Sequence, residues 1–334
     1  MSKTIGLILG KFAPFHVGHE RLLQIALSEV DEVHAIIYDC PDLTNIPLNV
    51  RAGWVRTLYP KVNVIEGWDA PNEHEDTPRV KKLQEEYVER VLNGKKITHF
   101  FSSEYYGEHM SKSLGAINRR TNRDDPREGY GIYAKMIRAT MMRKEEHLNK
   151  NYLNVLVYKD LLIKIAILGY PSQSQTELVK LIAEKFSMNC ILDDLYQKKQ
   201  NHTHVDFYKI ANERIKKIND EKSIYDAKDF LVFDSAPFVD HLLSVLAHND
   251  YDDSKYQIYS KDMRTYDIVF IIDNEEKNND WFHNIDPSIF MNQLTTNLDT
   301  LGIKYHRING NIDEKLKKIE KITRALPKRF IKTI

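Results

Sequence analysis

Short apolar runs alternate with stretches of helical spacing along the first half of the chain. Apolar runs of strand length indicate buried β-strands, and they are found at residues 7–9, 33–38, 62–65 and 97–101. The intervening stretches carry apolar side chains three and four positions apart, which predicts amphipathic helices over residues 20–28, 50–58 and 80–92. The alternation predicts a doubly wound α/β unit, in which crossover helices cover a parallel sheet.

The second half repeats this organisation after a polar stretch over residues 145–160 that is rich in Asn, Lys and Tyr. A new buried strand is predicted from Leu162 to Leu168, so we set the boundary near Leu161 and expect one domain at 1–150 and another at 161–334. Further strands are predicted at residues 230–233 and 268–272, and helices at 176–186 and after residue 311. The chain is therefore expected to contain two α/β domains.

The composition argues against several classes of partner. The 48 basic residues balance the 48 acidic ones among 334 residues, which predicts no nucleic-acid partner. No apolar run has membrane-spanning length, so no membrane association is expected. The two cysteines, Cys40 and Cys190, form no disulfide framework and fit a reducing cytoplasm, the compartment that we predict.

The turn after the first predicted strand reads Gly-Lys-Phe-Ala-Pro-Phe-His-Val-Gly-His from Gly10 to His19. A glycine there lets backbone amides approach a phosphate, and the following helix turns its positive end toward the same position. His16 and His19, on either side of Gly18, can donate hydrogen bonds to phosphate oxygens, and Lys11 adds a positive charge. A zinc site is not expected, because the glutamate and third ligand of a metalloprotease helix are missing.

This string resembles the signature of the HxGH nucleotidyltransferase superfamily, which has a Rossmann-like fold. The segments 46–56 and 101–109 are similar to those of bifunctional nicotinamide-nucleotide adenylyltransferase/ribosylnicotinamide kinase proteins. The resemblance implies that the first domain joins nicotinamide mononucleotide to ATP, giving NAD and pyrophosphate by direct in-line attack on the α-phosphorus. Mg²⁺ accompanying ATP would neutralise the leaving pyrophosphate.

The resemblance also implies roles for residues near the turn. Gly10, Phe12 and Gly18 belong to the signature, and Ser102 and Ser103 follow the fourth strand beside the expected adenylate. The 46–56 segment contributes Arg51 and Trp54 as substrate-binding candidates. An indole such as Trp54 or Trp68 can stack on a pyridine or adenine ring, but a core or rim anchor is the favoured interpretation of both.

A second family motif, Ile-Ser-x-x-x-Ile-Arg, opens a helix over the ATP phosphates and corresponds here to residues 132–138. Arg138 matches as a polyphosphate ligand, and Arg143 is expected to assist. Tyr133 replaces the small serine, whereas Lys135 offers a charge that can substitute for the lost contact. The preceding arginines are interpreted as a solvated basic loop: Arg119, Arg120, Arg123 and Arg127.

The second domain contains an altered phosphate loop. Gly169 to Thr176 has the length and the strand-to-helix setting of a Walker A loop, GxxxxGK[ST], but Ser174 replaces the second glycine and Gln175 the lysine. A neutral amide cannot offset phosphate charge, so little kinase activity is expected. Asp234 stands where a Walker B carboxylate would hold Mg²⁺, and Asp193 or Asp194 where the family presents an acid to ribose. Strand-end or capping roles are favoured for these carboxylates.

Three functions remain open from the sequence. The favoured one is an adenylyltransferase that makes NAD from ATP and nicotinamide mononucleotide, with a second domain that has lost phosphoryl transfer. Another keeps the reaction but changes the acceptor, to nicotinic acid mononucleotide or another phosphorylated alcohol. A third is a non-catalytic regulatory protein that binds NAD or ATP. The second domain would then pack, sense a nucleotide or assemble a homo-oligomer.

Overall fold

The computed structural model describes residues 3–71, 73, 75–103, 107–122, 125, 134–142, 151–192, 206–227, 230–273 and 285–325. The chain forms two compact units, of which the first ends at Leu161 and the second begins at Leu162. Each unit has its own parallel sheet of five strands. Among the residues just given, no helix is long and apolar enough to cross a membrane.

The first sheet has the strand order β3-β2-β1-β4-β5. Its strands are β1 (Ile5–Gly10), β2 (Glu32–Tyr38), β3 (Val62–Gly67), β4 (His99–Ser102) and β5 (Ile117–Arg120). The central strand β1 pairs in parallel with β2 on one side and with β4 on the other. In an open parallel sheet the strand order reverses at such a position, and the crevice at the carboxyl ends of the strands there is where ligands bind.

The described part of the first unit contains six helices. They are α1 (Val17–Glu29), α2 (Leu48–Leu58), α3 (Pro78–Leu92), α4 (Gly107–Ser113), α5 (Ala134–Met142) and α6 (Val155–Leu161). The side chains of Leu7, Leu9 and Phe100 from the central strands form one core with Val88 and Leu92 of α3. Helix α3 begins at a Thr77 side-chain cap followed by proline and ends at Asn93 in the left-handed conformation, which are common helix-start and helix-stop signals.

The second sheet has the strand order β10-β9-β6-β8-β7. Its strands are β6 (Ile163–Gly169), β7 (Asn189–Ile191), β8 (Phe230–Asp234), β9 (Ile268–Ile272) and β10 (Tyr305–Ile308). Every residue of β6 and β9 is buried, because helices cover both faces of the sheet. These helices are α7 (Gln173–Phe186), α8 (Phe207–Ile218), α9 (Glu221–Asp226), α10 (Pro237–His248), α11 (Asp253–Met263), α12 (Pro287–Thr300) and α13 (Ile312–Arg324).

The architecture confirms the predicted α/β class and corrects several details. Helices α1 and α7 each begin three residues before the predicted start. His16 caps α1 and Ser172 caps α7, so the helices start at Val17 and Gln173. Arg119 and Arg120 lie on β5, opposite Phe101 and Ser102, and not in a loop. The Arg119 guanidinium is 3.0 Å from the Glu29 carboxylate. Arg123 and Arg127 lie outside the described residues.

Candidate active site

The two histidines of the β1–α1 turn interact with each other at the first turn of α1. The backbone N–H of Gly18 donates to His16 Nδ1 at 3.1 Å, and the backbone N–H of His16 donates to His19 Nδ1 at 3.3 Å. This reciprocal arrangement is a capping box in which imidazoles replace the usual hydroxyl and carboxylate. The two rings stack with their centroids 3.7 Å apart.

These contacts determine which nitrogen carries the proton. A neutral imidazole has one donor and one acceptor nitrogen, and the Nδ1 atoms of both His16 and His19 act as acceptors. The proton of each neutral ring is therefore on Nε2. Each ring has a hydrogen-bond donor on the side opposite the helix backbone, as a ligand for phosphate oxygens requires.

The amides at the start of α1 already have partners. The Val17 N–H donates to the Tyr152 carbonyl at 2.9 Å, the Gly18 N–H to the His16 ring, and the His19 N–H to the His16 carbonyl at 2.8 Å. The amides of Val17, Gly18 and His19 therefore bond within the protein. Tyr152, which the sequence did not single out, contributes a carbonyl to this helix end.

Phe12 determines the shape of the turn. Its backbone has φ 46°, in the left-handed region that residues with a Cβ seldom adopt. Its buried ring lies 4.6 Å from the His19 ring and 5.5 Å from that of Phe15, centroid to centroid. A Cβ at Gly10 would lie 2.7 Å from the Phe12 ring, so this glycine accommodates Phe12. The sequence had assigned Gly10 to the close approach of a phosphate.

Arg51 of α2 is fully buried beneath the turn. Its guanidinium donates to the carbonyls of Ile46, Lys11 and Tyr38, at 3.1, 2.5 and 2.7 Å. Its remaining contact is with the Asp39 carboxylate at 3.3 Å. Burial lowers the pKa of this arginine, while the nearby Cys40 and Asp39 oppose the shift. Arg51 thus joins the loop after β1 to the loop after β2.

Three of the predicted cations surround one buried thiol. Burial raises the pKa of Cys40, and Arg51, Lys11 and Arg138 each act in the opposite direction through their charge. Burial also lowers the pKa of Arg138, whose guanidinium donates to the Ala13 carbonyl at 2.6 Å. The structure therefore brings Lys11, Arg51 and Arg138 together at the carboxyl ends of β1 and β2. Cys40 and Asp39 had not been assigned to the site from the sequence.

The remaining candidates of the first unit occupy different environments. Ser102 is buried at the end of β4, Ser103 follows half-buried, and Lys135 is exposed on α5. A Cβ at Gly107 would lie 2.1 Å from Ser102 Oγ, so the first residue of α4 packs directly on this serine. Tyr133 and Arg143 lie outside the described residues.

The two tryptophans differ in exposure. Trp54 is 2% exposed, and its indole N–H donates to the Asp160 carboxylate at 2.8 Å, which agrees with the favoured core interpretation. Trp68 follows β3 and is 58% exposed, with its N–H donating to Glu66 at 3.0 Å. Trp54 is thus unable to offer its ring face to a ligand without leaving the core.

In the second unit, Gln175 occupies the position of the Walker lysine and bonds within the protein. Its side-chain amide donates to the Asp234 carboxylate at 3.0 Å and to the Ile167 carbonyl at 3.3 Å. Gln175 and Asp234 are each 2% exposed. A Cβ at Gly169 would lie 2.8 Å from the Gln175 side-chain oxygen. Asp193 and Asp194 lie outside the described residues.

The altered phosphate loop is partly converted into helix. Because Ser172 caps α7, accepting from the Gln175 N–H at 3.2 Å, residues 173–175 are helical. The Thr176 N–H donates to the Ser172 carbonyl at 3.3 Å, and the Thr176 side chain is buried. Tyr170 is buried against Phe290, and burial raises its pKa to about 12. The backbone amides of Gln175 and Thr176 are therefore both bonded to Ser172.

Neither unit offers an obvious metal centre. No group of three or more His, Cys, Asp or Glu side chains able to hold a metal ion occurs in the part of the chain that the structure describes. The Asp234 carboxylate, the predicted Mg²⁺ ligand, accepts a hydrogen bond from Gln175. This agrees with the favoured strand-end interpretation of Asp234.

Comparison with curated proteins gives short local similarity. No family model matches the chain. A segment of 35 residues is 57% identical to the trifunctional NAD biosynthesis/regulator protein NadR of Escherichia coli (strain K12), and one of 38 residues is 55% identical to the NadR of Salmonella typhimurium. The matched segments span 10% and 11% of this chain and only 8% and 9% of the relatives' own length.

Comparison with solved structures extends over the whole chain. Crystal structures of NadR protein in complex with NAD and AMP-PNP, and of NadR protein in complex with NR, each have a TM-score of 0.51 at 14% identity. In both cases the match covers 100% of this chain and 98% of the solved chain. At this identity the likeness shows a common fold. The chain therefore shares its α/β fold with NadR and has a short stretch of sequence in common with it.

Proposed function

We propose that the first unit is a nicotinamide-nucleotide adenylyltransferase, which transfers AMP from ATP to nicotinamide mononucleotide and releases NAD and pyrophosphate. The observation that carries the proposal is the stacked pair of His16 and His19, whose Nδ1 atoms both accept from backbone amides. Two Nε2 donors at the carboxyl end of the central strand suit a substrate that gains negative charge at phosphorus.

In the proposed reaction, a phosphate oxygen of the mononucleotide attacks the α-phosphorus of ATP, and the bond between the α-phosphorus and the α,β-bridging oxygen breaks. Pyrophosphate leaves with the electron pair of that bond, and no covalent enzyme intermediate forms. His16 and His19 donate hydrogen bonds to phosphate oxygens, while Lys11 and Arg138 contribute positive charge. Mg²⁺ enters with ATP as part of the substrate.

The comparisons support NAD metabolism as the setting. The relatives with local similarity are named as NAD biosynthesis/regulator proteins, and the solved NadR structures contain NAD, AMP-PNP or NR. The choice of nicotinamide mononucleotide as acceptor is our proposal for this chain. For the second unit we propose that phosphoryl transfer is lost, since Gln175 bonds to Asp234 and the amides of Gln175 and Thr176 bond to Ser172.

The test is NAD formation from Mg-ATP and nicotinamide mononucleotide by the purified chain. His19→Asn keeps an oxygen near the Nδ1 position and removes the Nε2 donor, so we expect the fold to persist and the rate to fall by roughly 10²- to 10³-fold. His19→Gln keeps a donor near Nε2 and is expected to retain more activity. His306→Ala changes an exposed histidine of the second unit and serves as the control. An unchanged rate in His19→Asn would refute the role of the histidines.

An acceptor panel separates the alternatives. Faster turnover of nicotinic acid mononucleotide than of the amide would change the assigned substrate and keep the reaction class. Calorimetry that detects tight NAD or ATP binding, together with no product for any acceptor, would favour a regulatory binding protein.

A further inference from the structure

The peptide groups around Phe12 are held from two sides by arginines. Arg51 of α2 donates to the Lys11 carbonyl, and Arg138 of α5 donates to the Ala13 carbonyl at 2.6 Å. Between these two carbonyls lies Phe12 with φ 46°. The left-handed backbone conformation costs free energy for a residue with a Cβ, and it persists only where surrounding contacts hold it. The two guanidinium groups supply contacts of that kind.

Arg51 donates four of its five N–H groups to protein acceptors. Its Nε, Nη1 and Nη2 atoms all bond to protein acceptors, and none of its side-chain surface is exposed. Burying a guanidinium is costly unless all its donors are paired, and a hydrophobic side chain of similar volume often stabilises such a site better. Stability alone therefore does not explain an arginine in this position. Its bonds to the loops after β1 and β2 indicate that it holds these loops in place.

The conformation of Phe12 reaches the proposed catalytic group directly. The Phe12 ring lies 4.6 Å from the His19 ring, at an angle of 54°, and it also packs on Phe15. The imidazole of His19 is thus bounded by Phe12 on one side and by the His16 ring on another. A shift of the Lys11 carbonyl would turn the Phe12 backbone and move the ring that packs on His19.

We propose that Arg51 is a positioning residue, which holds His19 in its donor-outward tautomer and orientation through the Lys11 carbonyl and the Phe12 ring. The proposal revises the sequence expectation that Arg51 binds substrate, and its kinetic consequence rests on the proposed adenylyltransferase function. Arg51 orients His19 before substrate binds, so its effect should be measurable in the protein without substrate.

The experiment follows the imidazole nitrogens of His19 by NMR in the full-length chain labelled with ¹⁵N-histidine. Signals are assigned by their loss in His16→Gln and His19→Gln variants. In the unmodified protein we expect His19 to show one tautomer, with the proton on Nε2. Arg51→Met is expected to average the two tautomers of His19. Arg56→Met is the matched control, because Arg56 lies on the same helix, is about half exposed and pairs with Glu66.

Kinetics provides a second measurement. A misplaced catalytic group lowers turnover by up to about 10²-fold with little loss of ground-state binding, so Arg51→Met should reduce kcat by about 10- to 100-fold and leave KM for Mg-ATP within about threefold. The kcat of Arg51→Lys should lie between those of the unmodified protein and Arg51→Met, since an ammonium cannot reach all four acceptors of the guanidinium. A raised KM with unchanged kcat would overturn the proposal, because it would identify Arg51 as a substrate ligand.

Two further outcomes keep the inference testable. If Arg51→Met does not fold, Phe12→Leu replaces it; this variant keeps an apolar side chain, and we expect the same averaging of the His19 tautomers. Unaltered His19 nitrogen signals in a folded Arg51→Met or Phe12→Leu protein would refute the positioning role. If the unmodified chain forms no NAD, the proposed function fails while the NMR result still decides whether Arg51 orients His19.

Discussion

Glu32, at the first position of β2, contacts three basic side chains at once. Its oxygens lie 2.6 Å from Lys3 Nζ, 3.1 Å from Lys95 Nζ and 2.5 Å from His34 Nε2. The hydrogen bonds from Lys3, Lys95 and His34, in that order of importance, lower the pKa of Glu32 to about 2. The network lies at the amino end of the strand, whereas the candidate active site is at the carboxyl end of the sheet.

The lowered pKa predicts a pH dependence of stability. Because the folded state holds the Glu32 carboxylate more strongly than the unfolded state, its contribution is complete above the ordinary pKa of 4.5 and is lost as the pH falls to about 2. Glu32→Gln should therefore reduce the free energy of unfolding by about 1 kcal/mol at pH 7, a modest value because both lysines are largely exposed. The difference from the unmodified protein should disappear toward pH 2.

Urea unfolding followed by circular dichroism between pH 2 and 7 measures this difference. Glu86→Gln removes an exposed carboxylate that is 3.7 Å from Lys82, and it is expected to leave stability unchanged throughout. A Glu32→Gln deficit that stays constant down to pH 2 would show that the carboxylate charge does not stabilise the network.

At the scale of helices, two glycines of the first unit have opposite surroundings. A Cβ at Gly107, the first residue of α4, would lie 2.1 Å from Ser102 Oγ and 3.1 Å from Ser102 Cβ. A Cβ at Gly53, within α2, would meet nothing within 4 Å. Gly107→Ala should therefore destabilise the protein by about 1–3 kcal/mol through overpacking. Gly53→Ala should stabilise it by about 0.5–1 kcal/mol, since alanine is the better helix former.

Thermal unfolding of the two single variants measures both effects under the same conditions. The expected signs are opposite, so a general intolerance of substitution at glycine cannot account for both. Equal stability of the two variants would mean that α4 moves away from Ser102 without cost.

The strands of the first sheet were largely predictable, but β5 and the helix starts were not. Strands β1, β2 and β4 contain the apolar runs that buried parallel strands require, and the edge strand β3 contains Val62, Val64 and Ile65. The edge strand β5 reads Ile-Asn-Arg-Arg and is mostly exposed, so it carries no hydrophobic pattern. The starts of α1 and α7 depend on side-chain caps from His16 and Ser172, which local sequence periodicity does not reveal.

The candidate site could likewise be predicted only where the signal lies in neighbouring residues of the sequence. One motif identified Lys11, His16 and His19, and a second identified Arg138, because the spacing within each motif is local. The motifs gave no sign that Arg51 would donate four hydrogen bonds to protein acceptors. Three of these acceptors, the Lys11 and Tyr38 carbonyls and the Asp39 carboxylate, are 12 to 40 positions away along the chain. Contacts between residues so far apart in the sequence form only through the tertiary fold, so a local motif cannot predict them.

At the scale of the whole molecule, each unit has its own sheet and its own core, and the second also has a buried ion pair. Arg214 of α8 bonds to Asp240 of α10 through two contacts of 2.8 and 3.0 Å. Arg214 is 4% exposed and Asp240 is fully buried. Removing one partner of such a pair leaves an uncompensated buried charge, which costs about 3–5 kcal/mol.

We expect Asp240→Asn to destabilise the second unit alone. Because domains with separate cores unfold as separate cooperative units, calorimetry of the full chain should resolve two transitions, of which Asp240→Asn lowers one and Gly107→Ala the other. Glu108→Gln removes an exposed partner of Lys112 and should shift neither by more than the equivalent of about 1 kcal/mol. At a temperature where both units remain folded, Asp240→Asn should leave NAD formation unchanged, because every proposed catalytic group lies in the first unit. A single transition that both variants lower together would show instead that the two units unfold as one.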